Sequence, residues 1–443
     1  QGSAKVIITE VTGGSASNLH GYTEVFGDQA DYIFANPKGI SCNGCGFINV
    51  DRLSMVTGSS DSVNGELAGF NIGGGTLSIG SGGLDASGTS AAELVTKIAD
   101  ITGNIIAGSE LNIKTGNKYY DYKTGNITSD QTTDSNPKTP EGGALFGVDA
   151  SEFGSMYAGK IQIIATEAGF GVRSAANMVS SVSDLIITAN GDIVYKNIVA
   201  EQDVILASSQ NIEQLGQTYS KGTATLAAQN DIKLSGDYLY GAEVNISAVN
   251  DVAIESGIYG FENADISGNN INISEDGEVI SRQDSVGHLS VTAINDITNK
   301  GIIASVSTLN IAGSKVVNEN NLSSSGTLDV GAQDLVNSGV INSDGNLSIT
   351  SDVIGNQGQL IANNALTISA TEITSDVIYA KGDVDISSDN LTNSGVITSD
   401  NNLSITSGTI DNQGQLIANT ALTILATDIS SDIIYANGDV DIS

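Results

Sequence analysis

The chain has 443 residues, with 17 Lys+Arg against 51 Asp+Glu and a net charge of −34. That charge excludes a phosphate-binding face of any size, so nucleic acid is not an expected partner. No run of 18 apolar residues is present to span a membrane as a helix, and the mix of 52 Gly, no Trp and abundant Val, Ile, Leu, Ala, Asn, Asp, Ser and Thr favours short strands and tight turns.

Up to about residue 185 the hydrophobic period is irregular, but alternation is clear in "KVIITEV", "TLSIG", "LNIKTG" and "KIQIIATE". Each places its apolar residues on one face of a short strand. Between the first two lies "ANPKGISCNGCGF", residues 35–47, which holds Pro37 and both cysteines, Cys42 and Cys45. By spacing alone a Cys-x-x-Cys pair fits a redox centre, half a metal site or a staple. Zinc would need two more ligands, and neither a second cysteine pair nor a nearby histidine exists. A thioredoxin-like centre would open a helix, whereas the surroundings here read as strand and turn. Asn43-Gly44 between the cysteines favours a tight turn that can bring the two sulfurs together. Residues 118–142 are polar, contain Pro137 and Pro140, and predict a protruding loop or small extra hairpin.

From residue 232 a small unit recurs: aliphatic, variable, aliphatic. It runs through Ile232/Leu234, Val252/Ile254, Ile271/Ile273, Leu289/Val291 and Leu309/Ile311 and on to Leu422/Ile424 and Val440/Ile442, at near-constant steps of about 19 residues. Alternation puts both aliphatics on one face, and a constant offset stacks each strand on the last. The simplest object with that property is a solenoid whose turns each hold two or three strands. Asn299, Asn318, Asn337 and Asn356, evenly spaced by one such step, are expected at corners, where Asn tolerates left-handed backbone and stacked amides can bond along the axis. A second evenly spaced ladder is Asn230, Asn250 and Asn270. Above this lies a longer repeat. "NSGVINSDGNLSIT" at Asn337 returns three turns later as "NSGVITSDNNLSIT" at Asn393, a tandem duplication.

The stretch "EVTGGSASNLHGYTEVFGDQADYIFANPKGISCNGCGFINVDRLSMVTG" resembles the secretion domain of filamentous-haemagglutinin-like exoproteins of two-partner secretion systems. The matching residues are Asn36, Pro37, Gly39 and Ile40, the pair Cys42 and Cys45, residues 46–49 with Arg52, and Thr57-Gly58. A second match is "FGSMYAGKIQIIATEAGFGV", residues 153–172. Together they span roughly residues 6–195, and the downstream repeat units resemble haemagglutinin repeats. The family's turn commonly reads Asn-Pro-Asn-Gly, and Lys38 stands in place of the second Asn.

The resemblance implies an all-β, right-handed parallel β-helix with turns of about 19 residues and an extra hairpin or loop region. It divides the chain into a secretion domain over 1–185, incomplete at its N-terminus, and β-helical repeats over 186–443. It implies export via the periplasm to the outer surface of a Gram-negative cell by an outer-membrane barrel transporter. That partner would recognise Asn36, Pro37, Gly39 and Ile40. In an exported protein, a Cys42–Cys45 disulfide pinning the next turn is the preferred reading of the cysteines. The chain starts at Gln1 without a signal peptide and stops within a repeat, so a fragment of a longer protein is expected.

For catalysis the inventory is poor. His20 and His288 are far apart, no G-x-S-x-G, H-E-x-x-H or Walker motif occurs, and acids such as Asp383 and Asp385 recur as a solvated face. The expectation is a non-enzymatic chain with no cofactor and no metal. It would serve as an adhesin or filamentous stalk, with the stalk of a contact-dependent growth inhibition toxin as alternative and a polysaccharide-degrading β-helix as a remote one. Its receptor, on a host or bacterial cell, is not specified by these residues.

Overall fold

The computed structural model describes residues 4–130, 145–282 and 287–443, and every α-helical or β-strand element among them is a strand. Pro137 and Pro140 lie outside the described residues. The chain forms two compact units, Gln1–Asp237 and Tyr238–Ser443. Each is a parallel β-solenoid.

In the second unit the turns have three sides. One turn contains the strands Lys315–Asn318, Asn321–Ser324 and Thr327–Gly331. Each pairs in parallel with its counterpart in the next turn, for example Val316 with Leu335, Leu322 with Ile341 and Leu328 with Leu347. The rise per turn is one strand spacing, about 4.8 Å. Inward residues Val316, Leu322, Leu328 and Val330 are at most 2% exposed. Burying an aliphatic side chain of this kind contributes about 1.5–3 kcal/mol, so each turn adds a full layer of core.

The recurring aliphatic pairs are core residues, but they do not form one column. From Leu289/Val291 onward they stack on a single side, through Leu309/Ile311 and Leu328/Val330. Val252/Ile254 and Ile271/Ile273 lie on a different side, whose next rung is Ile297/Asn299. The cause is a longer turn: Ile297 pairs back to Ile271 and Leu289 to Ala264, both wider steps than the usual one. That insertion leaves the sequence spacing between pairs almost unchanged while moving them to another side. The last pair, Val440/Ile442, is in register with Leu422/Ile424 but is 49% and 47% exposed.

The asparagines also differ from expectation. Asn299, Asn318, Asn337 and Asn356 are strand residues in ordinary extended backbone, and the positive-φ positions among the described residues are all elsewhere. Their side chains point inward and are at most 1% exposed. Asn299 Nδ2 donates to Asn318 Oδ1 at 2.8 Å, Asn318 to Asn337 at 2.8 Å and Asn337 to Asn356 at 2.7 Å. A buried amide must be hydrogen-bonded, and here each neighbouring turn supplies the partner. The ladder based on Asn230, Asn250 and Asn270 is not one column. Asn270 is in register with Asp251 and donates to it at 2.8 Å.

In the first unit one side stacks Val6–Glu10, Ala30–Ala35, Val50–Val56, Ala91–Thr96, Glu110–Thr115 and Lys160–Ala165, continuing through Leu185–Ala189, Val204–Ser208 and Thr223–Ala228. Its outer surface carries a second, antiparallel sheet made of Gly58–Val63, Glu66–Ile72, Tyr119–Asp121 and Ile127–Thr128. The first two strands are a hairpin turned at Asn64 (φ 55°) and Gly65 (φ 83°), the left-handed pair that matches strand twist. The last two occupy part of the segment expected to be a loop or extra hairpin.

Candidate functional site

Residues 36–39 form a tight turn closed by the Gly39 N–H donating to Asn36 O at 3.1 Å. The Asn36 side chain does not face solvent. Its Nδ2 donates to Ser15 O at 3.0 Å and Ser17 Oγ at 2.8 Å, in the preceding turn, while its Oδ1 accepts the Lys38 N–H at 2.9 Å. Gly39 has φ +122°, and a Cβ there would stand 3.0 Å from Thr76 O in the following turn. A Cβ on Gly75 would come within 2.5 Å of Gly39 N. The turn is thus wedged between two neighbours at backbone contact. Asn36, Gly39 and Ile40 are buried, Pro37 is half-buried and Lys38 is exposed.

Strand Ile40–Ile48 then rounds a corner at Asn43-Gly44. Its first part pairs with Thr76–Ile79 and its second with Leu84–Ala86. Cys42 and Cys45 flank that corner, both point into the core, and their sulfurs are joined. The bond therefore holds one corner of a single turn and does not tie that turn to the next. Asn43 Oδ1 accepts the Gly82 N–H at 2.7 Å, and its backbone O bonds His20 Nδ1 at 2.9 Å. The second histidine, His288, lies 3.2 Å from Asp265 on an exposed strand face of the other unit.

Under the docked sheet lies a polar cluster that reading by motif does not identify. Glu93, 4% exposed, sits on strand Ala91–Thr96 with its side chain outward beneath the sheet. Its Oε2 accepts from Arg52 Nη2 at 2.6 Å, Tyr120 Oη at 2.7 Å and Ser54 Oγ at 3.3 Å, and Lys114 Nζ stands 3.6 Å from Oε1. Lys114 also donates to Gly125 O at 2.8 Å. Around this lies an apolar cluster of Ile33, Val56, Val95, Phe70, Tyr120 and Ile127, drawn from both layers. Burial, then the neighbouring Glu93 charge, pushes the Tyr120 hydroxyl well above its ordinary value, and burial lowers the Lys114 ammonium. The one signal for Glu93 in the sequence is an acid within the otherwise aliphatic "AAELV".

Chemically this cluster is an internal clamp. Glu93 Oε2 is occupied by donors from the protein, leaving it no route to a substrate. Among the described residues, no three His, Cys, Asp or Glu side chains gather as metal ligands. Asp383 accepts from Asn401 and Asn402 at 2.6 and 3.0 Å, while Asp385 points outward.

Residues 1–195 match the family described as the TPS secretion domain, and residues 196–236 and 377–443 match the haemagglutinin repeat. Similar curated proteins include "Toxin CdiA" of Yersinia pestis, 37% identical over 223 residues, covering 50% of this chain and 7% of that protein. "tRNA nuclease CdiA" of Yersinia mollaretii is 29% identical over 305 residues, covering 68% of this chain and 10% of that protein. "16S rRNA endonuclease CdiA" of Enterobacter cloacae is 31% identical over 245 residues, covering 55% and 6%. The match thus spans a tenth or less of each of these relatives. A crystal structure of a filamentous hemagglutinin secretion domain aligns with 51% of this chain and 75% of its own at 25% identity and a TM-score of 0.46. On its secretion domain and the repeats that follow, the chain belongs to the filamentous-haemagglutinin-like exoproteins of two-partner secretion systems.

Proposed function

We propose that this chain is the transporter-recognised start and first stalk repeats of a secreted surface exoprotein, with the secretion domain giving way to repeats near residues 185–195. The carrying observation is the match of residues 1–195 to the TPS secretion domain. The outer-membrane barrel transporter is its export partner, and the outer surface of a Gram-negative cell is its destination. Residues Asn36, Pro37, Gly39 and Ile40 act through the turn they build. Folded, that turn offers Pro37 and Lys38 to a partner and keeps Asn36 and Ile40 inside. Unfolded, all four are readable, so a folded and an unfolded encounter present different residues to the transporter.

Between the two kinds of exoprotein, the stalk of a toxin-delivering protein is favoured over an adhesin, because the relatives named above are toxins and nucleases. The solenoid itself is no enzyme in this reading. Its job is length and display. Co-expression with the transporter, followed by assay of the medium and cell surface, tests the export reading. Release that is equal with and without the transporter overturns it. Growth competition between cells carrying the full reading frame and target cells tests the toxin reading, and adhesion without inhibition returns the chain to the adhesin class.

A further inference from the structure

One side of the second unit stands apart in its outward residues. Along it, the register runs Tyr240 to Tyr259, Tyr259 to Ile280, and later Ile361 to Tyr379 and Ile417 to Tyr435. All five tyrosines of this unit, at 238, 240, 259, 379 and 435, fall on this side. Strand propensity does not explain that, because the same outward positions on the other two sides hold none. Charge is distributed the opposite way. The one outward carboxylate on the tyrosine side is Glu278, which accepts the Tyr259 hydroxyl at 2.8 Å. The second side carries Asp329, Asp385 and Asp441 outward, and the third carries Asp334, Asp411 and Asp428.

The Tyr259 ring lies along the sheet. A Cβ on Gly257 would meet the Tyr259 ring, so that ring covers its own strand, and Arg282 stacks over it at 4.4 Å. The Tyr379 hydroxyl is tied to Asp400 at 2.7 Å. The result is a nearly uncharged, largely apolar strip in which Tyr259 and Tyr379 are already held by neighbours, so little of their side-chain entropy remains to be lost on contact.

We propose that this side is a contact surface for a second copy of the same chain, with two solenoids packed side on side. Charge selects that occupant. Two chains of −34 repel each other, and of the three sides only this one meets itself without opposing rows of carboxylates. The size agrees. Ten rises of about 4.8 Å and a strand width of about 13 Å give about 600 Å² per copy, or about 1,200 Å² in all, the lower end for a specific complex. Sheets pack face to face in this way. The first unit, taken by itself, has a comparable outward column that includes Ile106, Tyr157, Val179 and Val199. The proposal does not depend on the export reading.

Sedimentation velocity of the 443-residue chain, across a concentration series at low and high salt, tests it. Reversible association that strengthens with salt is expected, because screening removes the repulsion and leaves the apolar contact. The double variant Ile361→Asp/Tyr379→Asp should weaken association at least about tenfold, by setting like charges against each other. Ile361→Thr/Tyr379→Thr keeps strand propensity and should weaken it less, with the thermal transition unchanged to show that the fold is retained. Thr367→Asp/Thr406→Asp, on another side, should leave association as it was. A chain that stays monomeric at every concentration and salt overturns the proposal. So does association indifferent to the tyrosine-side variants. Loss of binding to a glycan or to the transporter's periplasmic domain, in variants of a monomeric chain, would assign the side to that partner instead.

Discussion

The Tyr120 hydroxyl donates to Glu93 Oε2 at 2.7 Å, and this bond joins the docked antiparallel sheet to the solenoid beneath it. The same oxygen holds Arg52 at 2.6 Å. Glu93→Ala therefore leaves the buried Lys114 and the half-buried Arg52 without their carboxylate, at a cost of about 3–5 kcal/mol. Tyr120→Phe removes one donor and costs less, about 1–3 kcal/mol. Urea unfolding measures both. Hydrogen exchange should rise in residues 66–72 and 119–121 before it rises in the solenoid strands. Unchanged exchange there in Glu93→Ala would mean that the apolar cluster alone holds the sheet.

Alkaline pH probes the same cluster. Burial raises the Tyr120 and Tyr195 hydroxyls above their ordinary value of 10.0. A group with a raised folded pKa contributes stability that is complete below the unfolded value and is lost as pH climbs past it. Lys114 has the opposite sign. Burial lowers its pKa, so it adds stability as pH approaches its ordinary 10.5 and no more beyond. Stability should fall once pH passes about 10.5, as the tyrosine contributions take over. Phenolate absorbance should show two of the 13 tyrosines silent until the β signal in circular dichroism is lost. Titration of all 13 with the fold intact would contradict the burial of these two.

In the turn at residues 36–39 the predicted effects divide by direction of the side chain. Asn36→Ala removes two bonds to the preceding turn and one within its own, and should cost about 2–3 kcal/mol. Gly39→Ala adds a Cβ at positive φ, 3.0 Å from Thr76 O, and should destabilise as well. Lys38→Ala should leave the melting temperature unchanged. If export falls with Lys38→Ala, the transporter reads the folded surface. If it falls only with Asn36→Ala and Gly39→Ala, the turn or its unfolded segment is what counts.

How much of this could be read beforehand depended on the kind of periodicity. The regular recurrence of aliphatic pairs exposes the solenoid because each rung repeats the same demand for inward side chains. It does not say which side a rung occupies. The long step from Ile271 to Ile297 moves the pattern from one side to another with no break in composition. The asparagines were visible as a ladder, but a repeat of Asn cannot tell a corner from an inward strand position. That distinction rests on whether neighbours offer acceptors, and here they do. Glu93 was hidden for a related reason. Its partners Arg52, Lys114 and Tyr120 are remote in sequence and meet only after the extra sheet has docked.

The disulfide is expected to be a modest contributor. It closes a loop across a separation of three residues, so the chain-entropy gain is about 2 kcal/mol. The corner is also held without it, by Gly44 N–H to Gly83 O at 3.0 Å and Gly82 N–H to Asn43 Oδ1 at 2.7 Å. Cys42→Ala/Cys45→Ala should lower stability by about that amount and keep the circular dichroism spectrum. A fully unfolded double variant would show instead that the bond is required for the first turns to form.

The amide ladder yields the sharpest test of how the repeats cohere. Asn337 accepts from Asn318 at 2.8 Å, and its Nδ2 serves Asn356 Oδ1 at 2.7 Å and Gln359 O at 3.3 Å. Asn337→Ala strands the Asn356 Oδ1 acceptor in a dry core, at about 1–3 kcal/mol, and takes one acceptor from the Asn318 amide, whose Nδ2 keeps Val340 O at 3.1 Å. In a solenoid each turn touches only its neighbours, so the damage should stay local. Hydrogen exchange should rise in the strands that carry residues 318, 337 and 356 and hold steady two or more turns away. Asn337→Asp should be worse, since a carboxylate cannot donate and its charge would be buried; raising the acidity until it protonates should restore part of the loss. Exchange rising evenly along the whole unit in either variant would show that the repeats unfold as one body and that the ladder is not a chain of local bonds.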